Sequence, residues 1–426
     1  MGATMTEKIL TRAAGVPSVT PGETVFCTFH SVSLLDCQNL GLIDEKGLTL
    51  QHPERVVISF DHFIRDSMGD LAAAVALPRM REFAARHKIP VANVFDVGRH
   101  GISHHVPFEE GFVVPGSFCG AFDTQAATLG VGNAFVIPLM SSLIPALLTG
   151  DTWIVVPEAI RINFHGRLRP GITGKDVYFG IMDRISELTV GRSLEYGGPG
   201  LETLTLDARM AIANGSNHMG AVTSIFEADD RLLSYLVSRI TQPFEPVVPD
   251  ADARYVETLD FQLEDFHPAI AAPGAPTNRR SVSDVLGTEI QAAFVGSCSS
   301  GRLEELTLAA NELRGKRVHP AVRMVVTPAT SQVMQAAVAA GVIGDLLAAG
   351  AAVTMPGCGA CYFGNQSPLL LADNEVCIST SVENHAGRMG SASGRIFLAN
   401  AAVVAASAVA GRIVQPDVLI EQEAAA

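Results

Sequence analysis

Short runs of β-branched residues alternate with alanine-rich stretches of helical periodicity along most of the chain. Residues 55–60 predict a buried strand, and residues 71–87 predict the helix that follows it. The same alternation continues with predicted strands at 91–97, 152–157, 323–327 and 352–355 and predicted helices at 175–188, 331–340 and 400–411. Strands that alternate with helices form parallel sheets covered on both faces. The sequence therefore predicts an α/β fold, and 426 residues suffice for two or three domains.

Two proline-marked positions divide the chain. Residues 243–280 contain six prolines with several acids between them, a composition typical of a linker that ends near Pro273. A softer boundary lies near Pro157. The predicted domains are therefore residues 1–158, 159–272 and 273–426.

The chain has little charge to cover its surface. Charged residues make up 17% of it, against roughly 25% in ordinary domains, and the formal net charge is −14. A hydrophobic fraction of 48% argues against disorder, and the negative balance argues against a general nucleic-acid binder. A surface so short of charge predicts contact with a partner subunit.

Cysteine usage and apolar runs bear on the compartment. Seven cysteines, an odd number in a long chain, favour a reducing compartment, the cytoplasm, over a disulfide framework. The first ten residues include Glu7 and Lys8 and lack an apolar core, so no signal peptide is expected. The uncharged run 124–150 is long enough to cross a membrane, but Pro138, Pro145 and several polar residues favour a buried helix-and-loop segment instead.

Three cysteines are candidate ligands. Cys358 and Cys361 form a C-x-x-C in a glycine-rich turn, inside the run 346–372 that has no charged residue. Cys298 follows a predicted strand at 292–295 and precedes a predicted helix, where backbone N–H groups favour a thiolate. Thiolates in an uncharged setting need a cation or a cluster. The spacing alone leaves open a redox pair, a zinc site, an iron–sulfur site or simply buried cysteines.

Three motifs around these cysteines match one family. Residues 296–302, GSCSSGR, resemble G-S-C-T-N-[SG]-R; residues 356–361, PGCGAC, resemble P-G-C-G-x-C; and residues 379–390 resemble S-T-S-N-R-N-F-x-G-R-x-G. Together and in this order they resemble the aconitase and 3-isopropylmalate dehydratase large-subunit family, over about residues 6–416, with this chain as a divergent member.

The resemblance implies three α/β/α domains around a central [4Fe–4S] cluster, one per subunit. By motif, Cys298, Cys358 and Cys361 are its ligands, and one iron is left free to bind substrate oxygen as a Lewis acid. The remaining cysteines have no ligand role by this match and are expected to be small buried residues. They are Cys27, Cys37, Cys119 and Cys377.

Asp61 and His62 follow the predicted strand 55–60, at the end of a strand where α/β sites lie. A histidine beside an aspartate can act as an oriented general acid, and in the family this pair helps to protonate and hold the substrate hydroxyl. From the residues alone, a satisfied turn is the alternative.

The segment 98–106 resembles the family's G-x-G-I-x-H-Q-V. The match places His104 on the family histidine and His105 where glutamine is usual. His100 has no family role and is expected at the surface or in packing. Glu109 and Glu110 precede Gly111, as acids do in the family, and are expected simply to orient the loop.

Two departures from the family pattern remove or move charge. Where the family has D-S-H-T, this chain keeps Asp123 but has Thr124 and Gln125, and glutamine cannot exchange a proton near neutral pH. Where the family has a glutamate that contacts metal-bound water, this chain has His218. We predict that His218 binds a substrate carboxylate or acts as acid–base; the alternative is drift with loss of catalysis.

A third departure lies in the last motif. The family's first arginine is Glu383 here, whereas the second survives as Arg388. An arginine pairs a carboxylate through two parallel hydrogen bonds, so an acid in its place would repel that carboxylate. Arg302 is kept for an anionic group, and Ser300 replaces the family's asparagine. The substrate is therefore expected to differ at one end from isocitrate or isopropylmalate.

The resemblance implies a hydro-lyase that reversibly removes water from a small hydroxy acid, or isomerises it through that dehydration. In the family the proton-abstracting base is a serine on a swivelling domain. Since this chain stops after the third domain, a small swivel-domain subunit is the expected partner, in a heterodimer or heterotetramer. Two alternatives stay open: an ordinary 3-isopropylmalate dehydratase large subunit, and a non-catalytic protein stabilised by a cluster, or by zinc with Cys119 or Cys377 as fourth ligand.

Overall fold

The computed structural model of the protein describes residues 2–63, 71–361 and 367–416. The helices are α1 Met5–Ala14, α2 Gly41–Glu45, α3 Leu71–Arg86, α4 Val106–Glu109, α5 Leu143–Thr149, α6 Gly174–Thr189, α7 Leu206–Asn214, α8 Asp230–Leu236, α9 Ser297–Ser300, α10 Leu303–Leu313, α11 Ser331–Ala339, α12 Val342–Ala348 and α13 Ala401–Ala410.

The strands are β1 Thr24–Thr28, β2 Ser31–Leu35, β3 Val56–Ser59, β4 Val94–Phe95, β5 Phe118–Ala121, β6 Phe135–Pro138, β7 Asp151–Val155, β8 Ala159–His165, β9 Ser193–Gly197, β10 Thr223–Phe226, β11 Glu257–Gln262, β12 Ala269–Ala271, β13 Arg279–Ser281, β14 Ala292–Val295, β15 Arg323–Val326, β16 Ala352–Val353, β17 Val376–Ser379 and β18 Arg395–Leu398.

The chain divides into two compact units. Unit 1 comprises Met1–Val97, Ser103–Arg167 and Ile185–Leu263, and unit 2 comprises Gly98–Ile102, Leu168–Arg184 and Glu264–Ala426. The three domains expected from the sequence, with their two boundaries, stay a prediction.

Unit 1 contains two parallel sheets. One has five strands in the order β4-β3-β2-β5-β6, and the other has four in the order β10-β9-β8-β11. Strands β1 and β7 form a separate antiparallel pair, with Phe26 opposite Trp153. The strand expected at 152–157 thus exists, but it pairs antiparallel instead of joining a parallel sheet.

Unit 2 is built on a seven-stranded sheet in the order β13-β12-β18-β17-β14-β15-β16. Strands β18, β17, β14, β15 and β16 are parallel, whereas β12 is antiparallel to both of its neighbours. Helix α13 is almost wholly buried because its residues are mainly alanine and valine, and the Asn400 side chain caps its first turn by accepting from Val403 N at 2.9 Å. The predicted α/β class is confirmed.

Two sequence predictions meet different outcomes. The segment 243–280 is not a continuous linker, because 257–262 form strand β11 at the edge of the four-stranded sheet and β12 and β13 follow. Its prolines lie outside these strands, so they interrupt no hydrogen-bond ladder of the sheets.

The uncharged run 124–150 is a buried helix-and-loop segment as predicted. It is broken into a 3₁₀ stretch Ala126–Gly132, strand β6 and helix α5.

No single helix in the described part of the chain is both long and apolar enough to cross a bilayer. Helices α11 and α12 reach the required length and composition only as a pair, with a bend of 80° between them.

Gly130 provides a test of packing in unit 1. A Cβ at Gly130 would lie 1.6 Å from the carbonyl oxygen of Ser224 on β10, a backbone atom with little room to move. We expect Gly130→Ala to lower the free energy of unfolding by about 3 kcal/mol, since the strand must shift. Gly344→Ala is the matched control, because Gly344 is exposed in helix α12 with no atom within 4 Å of the added Cβ.

Gly344→Ala is expected to raise the free energy of unfolding by ~1 kcal/mol, through the lower entropy of the unfolded chain and better helix propensity. Denaturant melts of both variants measure this. Equal stability of Gly130→Ala and the wild type would contradict the close packing of the 3₁₀ stretch on β10.

Candidate active site

The three predicted ligand cysteines of unit 2 lie beyond the carboxyl ends of its parallel strands. Cys298 is in the short helix α9 directly after β14, and the 3₁₀ turn Gly359–Cys361 follows β16. The loops that follow neighbouring parallel strands emerge at one edge of a sheet, which is where α/β sites are found. The fold thus brings motifs about 60 residues apart to the same edge.

Cys298, Cys358 and Cys361 share one small apolar cluster with Ile102 and Ala329. Cys298 and Cys361 are 5% and 4% exposed, and Cys358 is partly exposed. Val382 completes the cluster, at the position where the family motif has asparagine. The cysteines are therefore grouped inside the protein with apolar walls, as the uncharged sequence around the C-x-x-C predicted.

The turn before Cys298 requires glycine. Gly296 has a φ of 153°, and a Cβ there would lie 2.6 Å from the carbonyl oxygen of Thr327. The Thr380 hydroxyl holds the same residue, since it accepts from Gly296 N at 2.8 Å and donates to Gly296 O at 2.9 Å. The Cys298 turn is thus fixed by the loop after β17.

Two arginines of unit 2 were predicted to bind anions. Arg388 donates from Nη2 to Cys361 Sγ at 3.7 Å; burial opposes its charge, but the negative charge of Cys361 prevails and raises the pKa of Arg388. Arg302 is 8% exposed at the start of helix α10. Glu383, the charge-reversed position, is partly buried with its Oε2 3.5 Å from His385 Nδ1.

The four cysteines without a predicted ligand role differ from this group. Burial raises the pKa of Cys27 to about 11, and it raises the pKa values of Cys37, Cys119 and Cys377 as well. Three of them are buried as predicted, whereas Cys37 is partly exposed. Burial therefore favours the protonated thiol at these four positions while no metal is bound.

In unit 1, the loop after β3 carries Asp61 and His62. Asp61 is 1% exposed, and its Oδ2 lies 3.3 Å from His62 Nδ1. The backbone N of His62 donates to Asp36 Oδ1 at 2.9 Å. Burial favours the neutral imidazole, but the charges of Asp61 and Asp36 outweigh it and raise the pKa of His62. The imidazole is therefore held ready to carry a proton.

A second histidine–aspartate pair lies in the same unit. His104 is 1% exposed, and its Nδ1 is 3.5 Å from Asp123 Oδ1. The backbone N of Gln125 donates to that oxygen at 2.8 Å. Burial would raise the pKa of Asp123, but the charge of His104 outweighs it and holds the pKa below its usual value. His105 is wholly buried and packs edge-on to His104, with the two ring centroids 5.3 Å apart.

The two departures of unit 1 are neighbours. Gln125 Nε2 and His218 Nε2 are 3.4 Å apart, although the residues are 93 positions apart in the chain. Thr124 is exposed, and its hydroxyl donates to Gln125 Oε1. His218 lies in the 3₁₀ stretch Gly215–Met219 and is partly buried. The family pattern has a histidine at position 125, where this chain has glutamine. His218 places an imidazole in contact with that glutamine.

His100 has the packing role that the sequence predicted. It is 4% exposed in unit 2, and its carbonyl oxygen accepts from both Ser331 N and Ser331 Oγ at 2.9 Å. These bonds fasten the segment Gly98–Ile102 to the start of helix α11.

Comparison with known proteins decides the family. The model of the Aconitase family (aconitate hydratase) matches residues 43–288 and 284–411. The chain belongs to the aconitase family. The match confirms two predictions: the family resemblance of the motifs and the aconitase-type α/β fold. The chain is therefore an aconitase-family hydro-lyase.

Individual relatives cover nearly the whole chain. The 3-isopropylmalate dehydratase large subunit of Wolinella succinogenes is 37% identical over 426 residues, which is 98% of this chain and 99% of the relative. The protein of the same name from Mycolicibacterium smegmatis is 37% identical over 434 residues, 99% of each. Among solved structures, aconitase X of Thermococcus kodakaraensis is similar over 84% of each chain, with a TM-score of 0.46 and 12% identity.

Membership in the aconitase family implies an iron–sulfur cluster, and the cysteines of unit 2 fit one. A single zinc ion would need its thiolates about 3.8 Å apart, the spacing of tetrahedral ligands at about 2.3 Å from the metal. Among the described residues, no group with all its ligand atoms within 4.8 Å of one another contains the three cysteines. Sulfurs spaced more widely suit a cluster in which each cysteine binds a different iron.

Within the described part of unit 2, Cys377, one of the two cysteines expected as a fourth zinc ligand, lies away from Cys298. Cys377 pairs with Ala292 at the amino end of β14, whereas Cys298 follows the carboxyl end of that strand. The two cysteines therefore lie at opposite ends of the parallel strands.

Sequence reasoning missed one charged residue beside the cysteine motifs of this aconitase-family chain. Lys175, second in helix α6, is completely buried, and its Nζ contacts Ser299 and the loop after β17. A lysine in the first turn of a helix opposes the helix dipole. That unfavourable position was the available signal, since cations are expected at the other end of a helix.

Proposed function

We propose that the chain is the large subunit of a dehydratase that removes water reversibly from a small hydroxy acid, with one [4Fe–4S] cluster per subunit. The observation that supports this most is the grouping of Cys298, Cys358 and Cys361 in one buried apolar cluster. When bound, a cluster with one iron free of protein ligands supplies a Lewis acid for the substrate hydroxyl.

Positive side chains of unit 2 would bind the acid groups of the substrate. Arg302 and Arg388 are both largely buried, so their guanidinium groups would meet a carboxylate with little competition from water. Bidentate pairing would fix the orientation of the substrate, which is a requirement for selective loss of one hydroxyl.

The histidine–aspartate pairs of unit 1 would move the protons. His62, whose pKa is raised beside Asp61, would protonate the departing hydroxyl. His104 would be oriented by Asp123, which stays ionised because its pKa is lowered. His218 would take the proton-transfer role of the histidine that Gln125 replaces, and the contact between the two residues supports this assignment.

Glu383 is the residue from which we propose a substrate that differs from isocitrate and isopropylmalate. In the family pattern an arginine stands there, whereas here a carboxylate lies 3.5 Å from His385. A substrate carboxylate would be repelled at this point, whereas a hydroxyl, an amide or a cation would be accepted. We therefore propose a hydroxy acid with one fewer carboxylate, or a polar group, at that end.

A small subunit is proposed to complete the enzyme. The relatives that span the whole chain are named as large subunits. The abstraction of a proton from carbon would then depend on a base in the second chain.

The competing possibility is an ordinary 3-isopropylmalate dehydratase large subunit, which the names of the relatives favour. Turnover of isopropylmalate and of a panel of hydroxy mono- and diacids would be measured anaerobically with the reconstituted small subunit. We expect a preferred substrate other than isopropylmalate. Isopropylmalate turnover as high as with any other acid would overturn the altered-substrate proposal and leave the dehydratase assignment intact.

A further inference from the structure

Lys175 is a cation fixed inside unit 2. Its side chain is completely buried, and Nζ donates to Ser299 Oγ at 3.1 Å, Thr380 O at 3.1 Å and Ser381 O at 2.9 Å. These three bonds use every N–H of the ammonium. The ring of Phe179, one turn further along α6, lies 5.3 Å from Nζ. These contacts therefore hold the positive charge of Lys175 at one position in the protein.

The acceptors of Lys175 belong to the cysteine motifs. Ser299 follows Cys298 directly in helix α9, and its hydroxyl also donates to Thr380 O at 2.9 Å. Thr380 in turn holds Gly296, the glycine before the Cys298 turn. Lys175 thus joins the turn of one cysteine ligand to the loop after β17, through contacts made over 124 to 206 positions of sequence.

The charge of this ammonium is not neutralised by a direct ion pair. Within the described ranges, its hydrogen-bond partners are one hydroxyl and two carbonyl oxygens, without a carboxylate. A buried cation of this kind is costly unless an anion compensates it, and burial lowers the pKa of Lys175 to about 8. The negative charges that favour the ammonium are those of Glu305, Cys298, Cys361 and Asp176.

Glu305 and Asp176 compensate only in part, because burial raises the pKa of both carboxyl groups, that of Glu305 to about 8, and favours their neutral forms. The other negative groups that act on the ammonium are the cysteine thiolates. A cluster held by three thiolates has a net negative charge, and that charge increases when the cluster takes up an electron. A fixed cation nearby would stabilise the reduced form more than the oxidised form.

We propose that Lys175 is a positioning residue for the iron–sulfur cluster: its ammonium holds the Cys298 turn against Thr380 and Ser381 and raises the reduction potential of the cluster. The proposal depends on the presence of the cluster in the proposed function. It assigns a role to helix α6, which belongs to none of the cysteine motifs.

The test is a redox titration of the full chain reconstituted anaerobically with iron and sulfide, followed by electron paramagnetic resonance. Lys175→Met removes the charge and keeps the length of the side chain. We expect the equilibrium constant for one-electron reduction to fall at least tenfold, which is a shift of about 59 mV to lower potential. Iron and sulfide per chain are measured in parallel.

Arg279→Met is the matched control. Arg279 is a partly buried cation of unit 2 that lies over the same Phe179 ring, at 4.0 Å, but its ion pair is with Asp183. Its removal is expected to leave the potential unchanged. Lys175→Gln keeps N–H donors without the charge, so it should retain more iron than Lys175→Met while showing the same fall in potential.

The outcomes separate the inference from the proposed function. A wild-type chain that binds no iron and sulfide would refute the cluster itself. Wild-type potentials in both Lys175 variants, with full clusters, would overturn the role of Lys175 alone, as would an equal shift in Arg279→Met. Should neither Lys175 variant fold, Ser299→Ala removes one acceptor of the ammonium by deleting a single oxygen while the charge stays; an unchanged content of iron and sulfide in that variant would overturn the positioning of the Cys298 turn by Lys175.

Discussion

Replacing Cys298 with alanine is expected to abolish dehydratase activity and most of the iron and sulfide bound by the chain. Each cysteine would bind a different iron, so the loss of one thiolate leaves a second iron without a protein ligand. The Thr380 side chain holds Gly296 before the Cys298 turn, and among the described residues the apolar cluster around Cys298 contains no cysteine other than Cys358 and Cys361. Iron, sulfide and zinc per chain, visible absorption and turnover with the small subunit measure the effect.

Cys377→Ala is the control for that substitution. Cys377 is equally buried in the same unit, but it lies on β17 next to the amino end of β14. Its replacement is expected to keep the wild-type content of iron and sulfide. A Cys298→Ala chain with wild-type iron and sulfide would contradict the ligand assignment. Zinc without sulfide in the wild type would refute the cluster.

His218→Gln is expected to lower the turnover number about 100-fold, the size of effect usual for loss of a general acid–base group. Gln125→Ala removes the hydrogen-bonding neighbour of His218 without removing a titrating group. It is expected to cost ~1 kcal/mol, or about fivefold in rate. Turnover and its pH profile in both variants measure the difference.

The double variant Gln125→His with His218→Glu moves the imidazole back to the position of the family pattern. Because residues 125 and 218 are in contact, activity lost in His218→Gln should return in part, with a pH profile that again shows a titrating group. Activity of His218→Gln within a fewfold of wild type, with an unaltered pH profile, would exclude His218 as acid–base and favour drift at this position.

Many elements could be predicted because their cause is local. The strand at 56–59, the helix at 71–86 and the buried helix at 401–410 follow from the periodicity of apolar residues within each segment. The cysteine motifs could be recognised for a similar reason, since the glycines and cysteines of the turn stand side by side in sequence. Strand β11 was missed because prolines on either side of it are a stronger local signal than its own six residues.

Short-range patterns in the sequence were enough to predict the α/β class, the family and the three cysteine ligands. Contacts between residues far apart in the chain could be seen only in the folded protein. The tertiary structure placed Gln125 against His218, which turned two separate departures into one exchanged pair, and it buried Lys175 beside the Cys298 turn. Both depend on which strand ends are neighbours and on what becomes buried there. The order of strands in the sheets sets both the neighbours and the burial, and the residue pattern of one segment does not encode that order.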